Sequence, residues 1–104
     1  MNRHYIIRES QFHLTRQKEL RCIGVSPKAV KTTIVLDTGG PITVDLQKDG
    51  PDEHMEINTL HTMYDFDTQH PSIVHHISLQ AQLDGDTHGT IIIWGMAPQK
   101  QQNA

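Results

Sequence analysis

IVHHISLQAQLDGDTHGTIIIWGM, residues 73–96, decides how the chain reads. In its first arm the apolar side chains take alternate positions: Ile73, Ile77, Leu79, Ala81 and Leu83, with His75 in the one polar slot of that series. The other parity runs Val74, His76, Ser78, Gln80 and Gln82. Successive side chains of a strand point to opposite faces, so a period of two with one apolar face predicts a half-buried strand. Asp84 to Gly89 supplies turn residues, and Thr90 to Met96 is β-branched and aromatic. Together they predict an antiparallel hairpin. Its second arm is apolar on both faces, which predicts a central place in the sheet or cover from a helix.

A second hairpin is predicted upstream. Thr32 to Asp37 forms one arm, Thr38-Gly39-Gly40-Pro41 the turn, and Ile42 to Leu46 the other arm, with Ile42, Val44 and Leu46 on one face. Between the hairpins, Asp52 to Phe66 fits two patterns. Ile57, Leu60 and Tyr64 suit one face of a helix, and Asp52, Glu53 and Glu56 suit its N-terminus. Asn58, Thr59 and Thr62 are poor helix formers, and Leu60, Tyr64 and Phe66 also suit a strand. Nearer the N-terminus, Tyr5 to Ile7 and Leu20 to Val25 read as strands. Ser26-Pro27 resembles a helix start with room for one turn. The expected fold is α+β or mostly β: a largely antiparallel sheet of about four to six strands, with hairpins near 32–46 and 73–96 and room for one short helix. Residues 1–97 are expected to form a single domain, and residues 98–104 a frayed polar tail.

Composition bounds the function. At 104 residues the chain fits one domain. Its hydrophobic fraction of 36% and five aromatic residues predict a thin core, and small domains already bury a modest share of their surface. Self-association is a common remedy. One cysteine, Cys22, excludes an internal disulfide and is expected to be a small buried side chain. No apolar run approaches the roughly 20 residues that span a bilayer, and no secretory signal is visible. The expected setting is the cytosol, with no membrane contact.

The net charge of −3 hides a split. Residues 1–31 carry seven basic side chains against two acids, whereas residues 32–104 carry two against ten. One consequence is self-complementation, within the molecule or across a homodimer. An alternative is nucleic-acid or polyanion binding, with Arg8, Arg16, Lys18 and Arg21 on phosphate and Phe12 stacking on a base. The acidic remainder argues against it.

Eight histidines, at 4, 13, 54, 61, 70, 75, 76 and 88, raise a further alternative, metal binding through His54, His61, His75 or His76. His75 and His76 would point to opposite faces of a strand, and no recognised ligand spacing is present. Asp84 to Gly89 matches the start of a calcium loop, but Gly95 stands where a bidentate Glu is needed. Asp65 and Asp67, Cys22 and Gly39-Gly40 match no catalytic or phosphate-binding pattern. The expectation is a non-catalytic interaction or accessory module without a cofactor, whose partner is a second copy or another protein.

Overall fold

The computed structural model describes residues 3–68 and 73–97, and every regular element among them is a strand. In chain order these are β1 (Arg3–Leu14), β2 (Leu20–Gly24), β3 (Ala29–Thr38), β4 (Ile42–Lys48), β5 (Glu53–Ile57), β6 (Met63–Asp67), β7 (Val74–Ala81) and β8 (Thr87–Ala97). They form two antiparallel four-stranded sheets, ordered β1-β8-β3-β6 and β2-β7-β4-β5. Consecutive strands mostly alternate between sheets; only β4 and β5 are neighbours both in sequence and in a sheet. Eight strands in this order make a jelly roll, the double-sheet relative of the Greek key.

The mostly β expectation holds, with three corrections. Among the described residues there are eight strands rather than four to six, in two sheets. No helix occurs among the described residues; Ser26-Pro27 opens a turn, in which the Ala29 N–H donates to the Ser26 carbonyl at 2.9 Å. Neither predicted hairpin exists as a pair. β3 lies in one sheet and β4 in the other, and the same is true of β7 and β8. The physical reason is that alternation marks an apolar face without saying what covers it. Two such faces meet equally well side by side or across a sandwich core. The segment 52–66 resolves into β5 and β6, joined by a crossing between sheets. Residues 98–104, the expected tail, lie outside the described residues.

The core lies between the inward faces. β4 contributes Ile42, Val44 and Leu46, β7 contributes Ile77, Leu79 and Ala81, and β8 contributes Ile91 and Ile93, all buried. Ile73 and Leu83, expected on the apolar face of the first arm, fall beyond the ends of β7 and are 48% and 54% exposed. Val74 is buried instead. A register shift between Gln47 and Lys48 in the pairing with β7 accounts for the change of parity. The core is thin in aromatics: Phe12 is the one ring buried outright, with Tyr64 and Phe66 packed partly against it.

Two glycines of β8 let aromatic rings lie flat on the sheet. Phe12 pairs with Gly89 and Tyr5 with Gly95. A Cβ on Gly89 would stand 2.0 Å from the Val35 carbonyl oxygen and 2.7 Å from the Phe12 ring. At the corners, Gly39 has a φ of 109°, and its missing Cβ leaves room for Thr87 and the Asp86 carbonyl. The β3–β4 and β7–β8 corners therefore pack against each other. The β1–β2 turn is tied to the same end. The Gly85 N–H donates to the Thr15 carbonyl at 3.0 Å and the Gln17 N–H to Asp84 Oδ1 at 2.8 Å. Glu19 accepts from the Thr15 N–H at 2.8 Å, and this bond holds its carboxyl below the usual range.

Candidate functional site

The two outer faces of the sandwich differ in chemistry. On the β2-β7-β4-β5 sheet the cross-strand rows read Leu20–Gln80–Thr43–Glu56, then Cys22–Ser78–Asp45–His54, then Gly24–His76–Gln47. Apart from Leu20, the face is polar and bonded to itself. Gln82 Nε2 donates to Thr43 Oγ1 at 2.9 Å and to Glu56 Oε2 at 2.8 Å. Cys22 is exposed, against the expectation of burial, and accepts from Ser78 Oγ at 3.6 Å. An outer row of an edge strand has no layer above it to bury a thiol.

On the β1-β8-β3-β6 sheet the corresponding rows read Ile6–Trp94–Lys31–Asp67, then Glu9–Ile92–Thr33–Asp65, then Gln11–Thr90–Val35–Met63. Apolar side chains run through all three. Ile92, Trp94 and Val35 are half-buried by their neighbours, while Ile6 is 48% and Met63 70% exposed. β8 is central, the first of the two placements its apolar faces predicted, and no helix among the described residues covers it.

Trp94 is the most strongly positioned group on this face. Its Nε1–H donates to Thr33 Oγ1 at 2.9 Å, and that hydroxyl donates to Asp65 Oδ1 at 2.5 Å. The Lys31 ammonium sits 5.1 Å from the indole centroid, within cation–π range. The His4 ring flanks it at 6.4 Å. Beside Trp94 a groove of about 420 Å³ opens, with His4, Lys31, Phe66 and Met96 among its walls.

The histidines are distributed by pairing with aspartates. His54 meets Asp45 across β4 and β5, and His13 meets Asp86. His75 Nε2 lies 2.7 Å from Asp49, His88 Nδ1 3.5 Å from Asp86, and His61 Nδ1 4.0 Å from Asp37. The Asp45 contact raises the His54 pKa, because it favours the charged imidazole. The His13 contact lowers that of Asp86.

The four histidines proposed from sequence as ligands are not brought together. His54 and His76 lie on the polar outer face, in different rows. His61 follows β5 in a left-handed residue with a φ of 59°, and His75 sits at the far end of β7 beside Asp49. Among the described residues the group able to hold an ion is His13, Asp86 and His88. Sequence reading weighs Asp86 only as part of the calcium-loop pattern and His13 and His88 only among the eight histidines; Asp86 and His88 are two residues apart, but the β1–β8 pairing that brings in His13 joins residues 75 positions apart.

The basic set is also divided. Arg16 and Lys18 belong to the β1–β2 turn, Arg21 to an edge strand of one sheet and Arg8 to an edge strand of the other. Phe12 is 1% exposed in the core, so its ring has no face to offer a base. Asp65 is engaged with Thr33. No helix among the described residues is long and apolar enough to cross a membrane.

No family model, curated protein or solved structure matches this chain. A jelly roll hosts many unrelated activities, so function lies in the chemistry of its faces and side-chain clusters.

Proposed function

We propose that the chain is a non-catalytic, cytosolic interaction module that pairs with a second copy of itself through the outer face of the β1-β8-β3-β6 sheet. The observation that carries this reading is the contrast between the two outer faces: one polar and internally bonded, the other crossed by Ile6, Trp94, Ile92, Val35 and Met63. Contiguous apolar surface on a sheet costs free energy in water and is recovered on burial, at roughly 25 cal/mol per Å². The same rows carry Lys31 against Glu9, Asp65 and Asp67, with Asp65 accepting from Thr33, so the charges lie among the apolar side chains and a matching copy must stagger them. Two copies related by a two-fold axis bury the same patch twice, which is the commonest arrangement of oligomers. The thin core makes this burial valuable to the fold itself. An exposed free thiol fits a reducing compartment.

Sedimentation across a concentration series tests the reading. The wild-type chain is expected to sediment as a dimer, and Ile6→Lys or Met63→Lys as a folded monomer. Both positions are exposed in the single chain, so the change costs the monomer little. A wild-type chain that remains monomeric throughout the series overturns the proposal.

A further inference from the structure

We propose that His13, Asp86 and His88 form a binding site for a divalent transition-metal ion of the zinc class. His13 and His88 are direct cross-strand partners in the β1–β8 pairing. Their rings stand perpendicular, with centroids 5.9 Å apart. Asp86 reaches both: Oδ1 meets His13 Nε2 and lies 3.5 Å from His88 Nδ1. One ligand atom from each residue falls within 4.8 Å of the other two. Metal–ligand bonds of about 2.0–2.2 Å in a tetrahedron set donors roughly 3.3–3.6 Å apart, so binding draws these three atoms together by side-chain rotation.

The donor set decides the class of ion. Two imidazoles and one carboxylate match zinc and its first-row neighbours. Calcium and magnesium want oxygen shells instead. Asp86 is also unlike the other aspartates that meet histidines. Asp37, Asp45 and Asp49 each meet one imidazole in the recorded ion pairs, whereas Asp86 meets two.

The site is held on a rigid frame. His13 and His88 stand on paired strands. Asp86 lies between Gly85, whose N–H is bonded to Thr15, and Thr87, which is 2% exposed. Ligands mounted on paired strands and a clamped turn lose little further freedom on binding. His13 and Asp86 are both exposed, which leaves the remaining coordination positions to water.

Zinc titration of tag-free protein by calorimetry tests the proposal. One ion per chain is expected. His13→Ala, His88→Ala and Asp86→Asn are each expected to weaken binding by at least about tenfold, the scale at which even outer contacts of metal sites register. His54→Ala, which removes a histidine from a single His–Asp pair, is expected to leave the affinity unchanged. Circular dichroism checks that each variant is folded, and the ring resonances of His13 and His88 should be the ones that move when zinc is added to the wild type. Absence of zinc binding by the wild type overturns the site. So does equal loss in His54→Ala, or wild-type affinity in His88→Ala. Repeating the titration on Ile6→Lys separates this proposal from self-association, because the three ligands belong to one chain.

Discussion

Thr32 is the residue whose chemistry least matches its surroundings. It is fully buried between the sheets, and its Oγ1 has no hydrogen-bond partner. A buried hydroxyl left unpaired costs roughly 1–3 kcal/mol, whereas an apolar group of the same shape costs nothing of the kind. Thr32→Val should therefore stabilise the fold by about 1 kcal/mol, read as a higher urea midpoint at unchanged slope. A lower midpoint would mean that the hydroxyl is satisfied in solution. His54 offers a second residue-level expectation. Its pKa is raised by Asp45, so the contact stabilises the fold at pH values below the unfolded pKa of about 6.5, and the gain is lost as pH rises through the folded value. Asp45→Asn should lower the His54 midpoint in an NMR titration and flatten this part of the stability profile. Both effects shrink with added salt, because the imidazole is exposed. A midpoint that does not move would remove Asp45 as the cause.

At the scale of elements, β8 shows what could and could not be read in advance. Its two apolar faces predicted a central position or cover from a helix, and it lies between β1 and β3. Alternation in β4 correctly selected Ile42, Val44 and Leu46 for the core. What failed was pairing. The turns at Gly39–Pro41 and Asp84–Gly89 have hairpin chemistry, yet each carries the chain from one sheet to the other. Local residues set the bend, but the choice between in-plane and cross-sandwich return depends on strands far away in sequence. The histidine–aspartate cluster was illegible for the same reason: it needs the β1–β8 register before its members are neighbours. The uncovered face was half legible, since Ile92 and Trp94 announced a second apolar side but not its exposure. Gly89 tests the element directly. Its absent Cβ lets the Val35 carbonyl and the Phe12 ring close on β8, so Gly89→Ala must open the β3–β8 ladder or displace the ring. A loss of about 2 kcal/mol or more is expected by chemical denaturation, at the upper end for overpacking. Gly24→Ala is the control: nothing lies within 4 Å of its missing Cβ and no positive φ is recorded there, so the change should be near neutral.

At the scale of the molecule, the sandwich separates two kinds of surface. One outer face is closed by its own hydrogen bonds, and the other presents apolar rows with Trp94 fixed among them. If self-association uses that face, monomeric Ile6→Lys should also lose stability relative to the dimer in a concentration-dependent way, since mass action favours the state that buries the patch. A thermal midpoint independent of concentration for both proteins would contradict it. The charge split of the sequence is carried into the fold by position: Arg8 and Arg21 end on the edge strands β1 and β2, Arg16 and Lys18 on the turn between them, and Lys31 on the inner strand β3.

The partnership of β1 with β8 has a consequence for how the protein is made. During synthesis β1 is made before the other seven described strands and stays without β8, its sheet neighbour among the described residues, until the intervening six strands have been translated. Through that interval Ile6, Phe12 and Leu14 wait in the open, within reach of chaperones and other nascent chains. Closure of the sandwich thus waits on the meeting of the first and last of its eight described strands.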